Sequence, residues 1–294
     1  MNRVPRLFAV LMLAVCTTSH SSATLVSASA LTAPPNSFVA LIDGRAVLET
    51  GERLLEDWGP ATAVAIAPDG AWTARGTSPC HAVLRHFSAT AGASVAVVGA
   101  VGDIALSPDS KTLAYTRSGS LRDGQGSCGT DALVLRDVAS GAERVWSATS
   151  ASGLIDSLSW APDGQHLVFE SRICCAGGGA MYDLDVSTAP TAVSGIARLS
   201  VSPTSVARMT HPTYAGDRLL FLSSDGTNES VVDRAGRQIF ALQDQGVSLA
   251  ADRSGKHLLV VLYGGGKLPG SLLSIAVSQP SATILGRGYA TAHW

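Results

Sequence analysis

The sequence predicts an all-β chain folded as a six-bladed β-propeller, and three observations carry that expectation. A strand-turn-strand phrase occurs three times, as AIAPDGAWTA from Ala65, ALSPDSKTLAYTR from Ala105 and SLSWAPDGQHLVFESR from Ser157. Two degraded copies follow, in HPTYAGDRLLFLSS from His211 and VSLAADRSGKHLLVVLY from Val247. The two ends of the chain hold complementary parts of a sixth unit. A repeat of about 45 residues with four strands per copy is the signature of propeller blades.

Each element follows from its residues. With Pro68, Pro108 and Pro162 as reference points, the positions four and two before the proline hold Val64 and Ile66, Ile104 and Leu106, and Leu158 and Trp160. Between and beside them stand Ala65 and Ala67, Ala105 and Ser107, and Ser159 and Ala161. Large apolar residues alternating with small ones at period two describe a strand whose one face packs into a core while the other meets a crowded surface. Pro-Asp-Gly or Pro-Asp-Ser then turns the chain, and Leu113-Ala114-Tyr115 or Leu167-Val168-Phe169 runs back as a second strand. In the fourth unit Tyr214 takes the place of Trp160, and a hairpin shorter by two residues leads to Leu219-Leu220-Phe221. In the fifth, Gly255 matches Gly164 and Leu258-Leu259-Val260 is the returning strand. Further strands complete the units, for example Ala132–Leu135 and Glu143–Trp146.

SFVALID, RAVLET and ERLLED, between residues 37 and 57, read as the second, third and fourth strands of a blade lacking its first. The closing Tyr289-Ala290-Thr291-Ala292-His293-Trp294 ends where Trp160 ends the first strand of its unit. A C-terminal strand joined to the three N-terminal strands closes the ring and removes an unpaired edge.

The Ser-Trp-Ala-Pro-Asp-Gly-x-x-Leu-x-Phe pattern from Ser159 resembles the propeller repeat of TolB and its relatives, a WD-like repeat also found in the non-catalytic propellers of prolyl-oligopeptidase-like peptidases. The match is specific around the turns at Pro68, Pro108 and Pro162 and degenerate elsewhere. This chain has no room for the N-terminal α/β domain of TolB or for a hydrolase domain. The resemblance implies a six-bladed propeller outside the cytoplasm whose repeat residues are structural, so it carries over no catalytic position.

Residues 1–30 read as a signal peptide: Arg3 and Arg6, an apolar stretch from Leu7 to Cys16, then a Ser/Thr/Ala run ending in Ala28-Ser29-Ala30. Leu13-Ala14-Val15-Cys16 resembles a bacterial lipobox, but Val15 stands where Gly, Ala or Ser belongs, which argues against an anchor at Cys16. Residues 31–36, with Pro34 and Pro35, read as a flexible linker, and 37–294 as one propeller domain. The expected location is extracytoplasmic, in the periplasm or at the cell surface, as a monomer. Removing residues 1–30 takes two arginines and no acid, which leaves 19 basic against 23 acidic residues without charge runs. Such a surface excludes nucleic acid as a partner, and no later apolar stretch is long enough to be a membrane-spanning helix.

Four cysteines remain, Cys80, Cys128, Cys174 and Cys175, all between the second and third strands of successive blades. An even count in an oxidising compartment points to disulfides. Cys80 with Cys128 beside a vicinal Cys174–Cys175 bridge, and Cys128 with one of the adjacent pair, both fit neighbouring loops. A metal site of Cys80, His81 and the Cys pair, or free redox thiols, are the alternatives. The long loops 118–130 and 172–180 offer Arg122, Asp123 and Arg172 as recognition residues on a stapled surface, or serve stability alone. Asp103, Asp156 and His211 stand at the starts of innermost strands, where they could converge at the channel mouth to bind a divalent cation or act as acid and base, or simply cap loops.

Catalytic motifs are absent from the sequence. Gly76-Thr77-Ser78-Pro79-Cys80 and Gly126-Ser127-Cys128-Gly129 both break the G-x-S-x-G elbow, and Gly264-Gly265-Gly266-Lys267 lacks the spacing of a phosphate loop. The reading is a non-catalytic propeller that binds a protein or envelope component and needs no cofactor. A lactonase or hydrolase with a channel site, and a purely structural role, are the alternatives.

Overall fold

Alternating apolar and small residues, interrupted by turn formers, give strand after strand along the chain. The computed structural model describes residues 37–50, 53–78, 80–88, 92–118, 131–148, 154–172, 179–200, 208–252, 254–263, 270–278 and 281–293. The first blade contains β1 (Phe38–Ile42), β2 (Arg45–Glu49) and β3 (Leu54–Pro60). The second is β4 (Ala63–Ala67), β5 (Gly70–Ser78), β6 (His81–Ser88) and β7 (Ala93–Val98). The third is β8 (Ala100–Leu106), β9 (Thr112–Ser118), β10 (Ala132–Asp137) and β11 (Glu143–Ser147). The fourth is β12 (Leu154–Trp160), β13 (His166–Arg172), β14 (Gly179–Asp185) and the short β15 (Ala197–Arg198). The fifth is β16 (Arg208–Ala215), β17 (Arg218–Ser224), β18 (Glu229–Asp233) and β19 (Gln238–Leu242). The sixth is β20 (Gly246–Ala251), β21 (His257–Leu262), β22 (Ser271–Ala276) and β23 (Ser281–Arg287), after which β24 (Tyr289–His293) returns to the first.

Every sheet is a four-stranded antiparallel meander, and the first has the order β24-β1-β2-β3. The C-terminal strand therefore completes the N-terminal blade, with Val39 opposite His293 and Leu41 opposite Thr291. Six apolar clusters lie one between each pair of neighbouring blades. Between the third and fourth blades, Leu133, Leu135 and Trp146 meet Leu158, Trp160, Leu167 and Phe169. Between the sixth and first, Leu259, Val261 and Leu272 meet Phe38, Ala40 and Val47. A blade buried on both faces needs a neighbour on each side, and only a closed ring supplies one for all six.

The repeated turn is held by its aspartate. Asp109 Oδ1 accepts the amide of Lys111 at 3.1 Å and the hydroxyl of Ser107 at 2.7 Å, and Asp163 Oδ1 accepts the amide of Gln165 at 2.8 Å. The residue after it is left-handed, with φ 62° at Ser110 and 68° at Gly164. This explains Gly or Ser at that place: a side chain able to turn the backbone locally, or none, tolerates positive φ. The same device without proline recurs at Asp252, whose Oδ1 accepts the Lys256 amide at 2.8 Å.

Candidate functional site

The innermost strands β4, β8, β12, β16, β20 and β24 together line a central cavity of about 610 Å3. One equivalent register position per strand is occupied by Ala65, Ala105, Ser159, Thr213, Ala250 and His293, which pair with Trp72, Ala114, Val168, Leu220, Leu259 and Val39. All six line the cavity, and so do large neighbours such as Ile66, Ile104 and Leu158, so residues of both parities reach it. Five of the six are small. The sixth is an imidazole, and burial pushes its pKa down to about 4, so His293 is neutral at pH 7.

One step toward the strand starts, the ladders are interrupted. Register shifts fall between Val101 and Ile104, Asp156 and Ser159, Thr210 and Thr213, and Gly246 and Ser248. Ser157 and His211 there adopt φ of 58° and 51°. Bulges of this kind free backbone amides from the sheet and re-aim side chains; in β12 and β16 amides there are satisfied by side chains of the preceding blade. Asp103 Oδ2 accepts the Leu158 amide at 2.8 Å, while its Oδ1 accepts the amide of Ile104 at 2.8 Å. Ser159 Oγ accepts the Tyr214 amide at 3.1 Å, and the buried Glu170 accepts the His211 amide at 3.4 Å through Oε2. The Trp160 indole donates to the Ala105 carbonyl at 3.1 Å. Burial raises the Asp103 pKa to about 7; nearby Asp156 adds to the rise, and the amides of Leu158, Ile104 and Ser157 oppose it.

Asp103, Asp156 and His211, singled out from the sequence, do line one cavity. Among the described residues, however, no three His, Cys, Asp or Glu side chains come close enough together to hold a metal ion. Asp103 has both carboxylate oxygens on backbone amides, which makes it a brace between two blades. Sequence reasoning missed Glu170, Arg208, Glu229 and His293. The first and last carried a signal: Glu170 interrupts an apolar strand at the place where Thr116 stands one blade earlier, and His293 breaks the small-residue rule.

The cysteine-bearing connections all leave the cavity's strand-start end, because they join second to third strands. Cys80, in the β5–β6 turn, is disulfide-bonded. Cys128, Cys174, Cys175, Arg122 and Asp123 lie outside the described residues, as do Cys16, the leader and linker at residues 1–36, and Trp294. Arg172 ends β13, its backbone opposite Leu154 and Gly179.

These features define a closed six-bladed propeller with a polar central channel. Its fold is TolB-like. TolB from Acinetobacter baumannii superposes with a TM-score of 0.60 at 16% identity, over 88% of this chain and 65% of that one. A putative TolB from Agrobacterium tumefaciens gives 0.57 at 17%, over 86% and 90%. Hydrazine synthase from Kuenenia stuttgartiensis gives 0.55 at 14%, over 87% and 80%. The chain thus spans just under two thirds of the A. baumannii protein. No protein-family model and no curated protein matches the sequence.

Proposed function

We propose that this protein is an extracytoplasmic interaction module that binds a protein or envelope component through the propeller face from which the second-to-third-strand connections emerge. The observation that supports it most is the asymmetry of the two faces. On the opposite face, the first-to-second-strand turns at Asp109, Asp163 and Asp252 are short and closed by aspartate side chains on backbone amides, although the β14–β15 connection there is 11 residues long. On the binding face, 13 residues separate β9 from β10 and six separate β13 from β14. Cys128, Cys174 and Cys175 lie in those connections and Cys80 in a shorter one on the same face. Disulfides there hold a recognition surface in shape and reduce the entropy lost on binding. Export by the residue 1–30 leader supplies the oxidising compartment this reading requires.

The reading as a hydrolase or lactonase rests on Asp103 and Asp156, and it competes poorly with the bracing role of Asp103. Cross-linking capture from native envelope tests the proposal. The wild-type chain enriches a partner that the Arg122→Ala, Asp123→Ala, Arg172→Ala triple variant loses, while Asp137→Ala on the opposite face retains it. Equal capture by both would remove the face assignment.

A further inference from the structure

The cavity carries an arrangement that neither the repeat nor the face-binding reading uses. Arg208 at the start of β16, Ser224 at the end of β17 and Glu229 at the start of β18 are cross-strand partners in one row. All three line the central cavity. Two strand spacings, roughly 10 Å, separate the arginine backbone from the glutamate backbone. No hydrogen bond or ion pair joins Arg208 or Glu229 to any described side chain, and the Nε of Arg208 is buried with no hydrogen-bond partner. An unsatisfied guanidinium N–H removed from water is costly, and a cavity large enough for a small molecule is the place where such a donor finds its acceptor.

The signs of the neighbouring groups narrow the chemistry. A guanidinium fork is shaped for bidentate contact with a carboxylate. A dianion would meet Glu229 and Asp156 in the lining of the same cavity, whereas a simple cation would leave Arg208 unanswered. A molecule with one carboxylate and one ammonium group satisfies both ends of the row. His293, held neutral by burial, also lines the cavity and offers a neutral donor and acceptor to the rest of the ligand.

We propose that the central channel is a binding site for a zwitterion of the free amino-acid class, its carboxylate held by Arg208 and its ammonium by Glu229. The volume of about 610 Å3 admits any of the twenty side chains. The row stands at the strand-start end of the channel, beside the β17–β18 connection and so on the loop-bearing face, but it uses none of the loop residues that the face-binding reading invokes.

The test is thermal-shift and calorimetric titration of the whole protein with the twenty free amino acids, each up to about 10 mM, the weak limit of specific binding. For any amino acid that binds, its amide and its N-acetyl derivative are titrated as well. The expected result is that at least one amino acid raises the melting temperature and that each derivative binds about tenfold or more weakly. Arg208→Gln is expected to abolish binding, and Glu229→Gln to remove the preference for the free amine, with near-UV circular dichroism unchanged. If Arg208→Gln does not fold, Arg208→Lys replaces it; retaining the charge but losing the fork, it is expected to bind about tenfold more weakly. Absence of binding by all twenty, or binding unaffected at Arg208, overturns the proposal. The Arg122, Asp123, Arg172 triple variant is expected to bind amino acids normally, so failure of the face reading and failure of this one are separable.

Discussion

The carboxylate of Asp103 accepts the backbone amide of Leu158 at 2.8 Å, 55 residues further along the chain and one blade away. The amide is available because Ser157, with φ 58°, lifts the innermost strand out of its ladder. Asp103→Ala removes the acceptor for this amide and for that of Ile104. Each half-buried unpaired donor costs on the order of 1 kcal/mol or more, so a loss of roughly 2–3 kcal/mol is expected in urea unfolding. Asp103→Asn keeps one acceptor oxygen and is expected to lie between alanine and wild type.

Two channel groups give opposing pH dependences. Asp103 has its pKa raised from 3.8 to about 7, so the stability it contributes is present in full below pH 3.8 and is lost as the pH rises through 7. His293 has its pKa lowered from 6.5 to about 4, so its contribution is present above 6.5 and is lost as the pH falls toward 4. Melting temperatures between pH 4 and 7 are expected to show this. Asp103→Asn loses the gain on acidification and is more acid-labile than wild type across that window, whereas His293→Gln is less so. Parallel curves for the two variants would contradict these assignments.

A buried polar contact accompanies the β24–β1 ladder at the ring closure. The Tyr289 hydroxyl at the start of β24 donates to Glu49 Oε1 at the end of β2, and both residues are buried. Burial raises the Glu49 pKa against the lowering effect of that hydrogen bond. Tyr289→Phe leaves a buried carboxyl without its donor, and a loss of about 1–3 kcal/mol is expected. A double-mutant cycle with Glu49→Gln should return a coupling of at least about 0.5 kcal/mol. Ending the chain at Gly288 removes β24 altogether and is expected to abolish cooperative unfolding.

Gly70 and Gly44 separate clash from backbone strain. Both have positive φ, 155° and 71°, but a Cβ at Gly70 would lie 1.7 Å from the Phe87 carbonyl oxygen, while one at Gly44 meets nothing within 4 Å. Gly44→Ala is expected to cost about 1 kcal/mol, the ordinary price of the left-handed region. Gly70→Ala should cost several times more or prevent folding, because backbone must move. Chemical denaturation of the two variants side by side measures the difference.

Strand order was legible because each blade is a local meander: Leu167 after Trp160, or Leu258 after Ala251, needs only a hairpin. The closing strand was legible too, since Tyr289–Trp294 and residues 37–57 each lacked what the other had. Asp103, Asp156 and His211 could be placed at strand starts, and they line the same cavity. Their roles were not legible, because the bulges at Ser157 and His211 that create free amides leave no mark in the alternation pattern. Arg208 and Glu229 were invisible for a related reason: they stand at strand ends, where polar residues are ordinary, and become neighbours only across β17.

By itself the sequence determined the period, the turns, the number of blades and the manner of closure, all consequences of contacts between residues close in the chain or of edges that must be paired. The tertiary structure alone decided which residues line the channel, which carboxylate braces a neighbouring blade, and which charges are left without a side-chain partner among the described residues. Those properties depend on groups about 20 to 250 residues apart meeting at one axis, and no local pattern encodes that meeting.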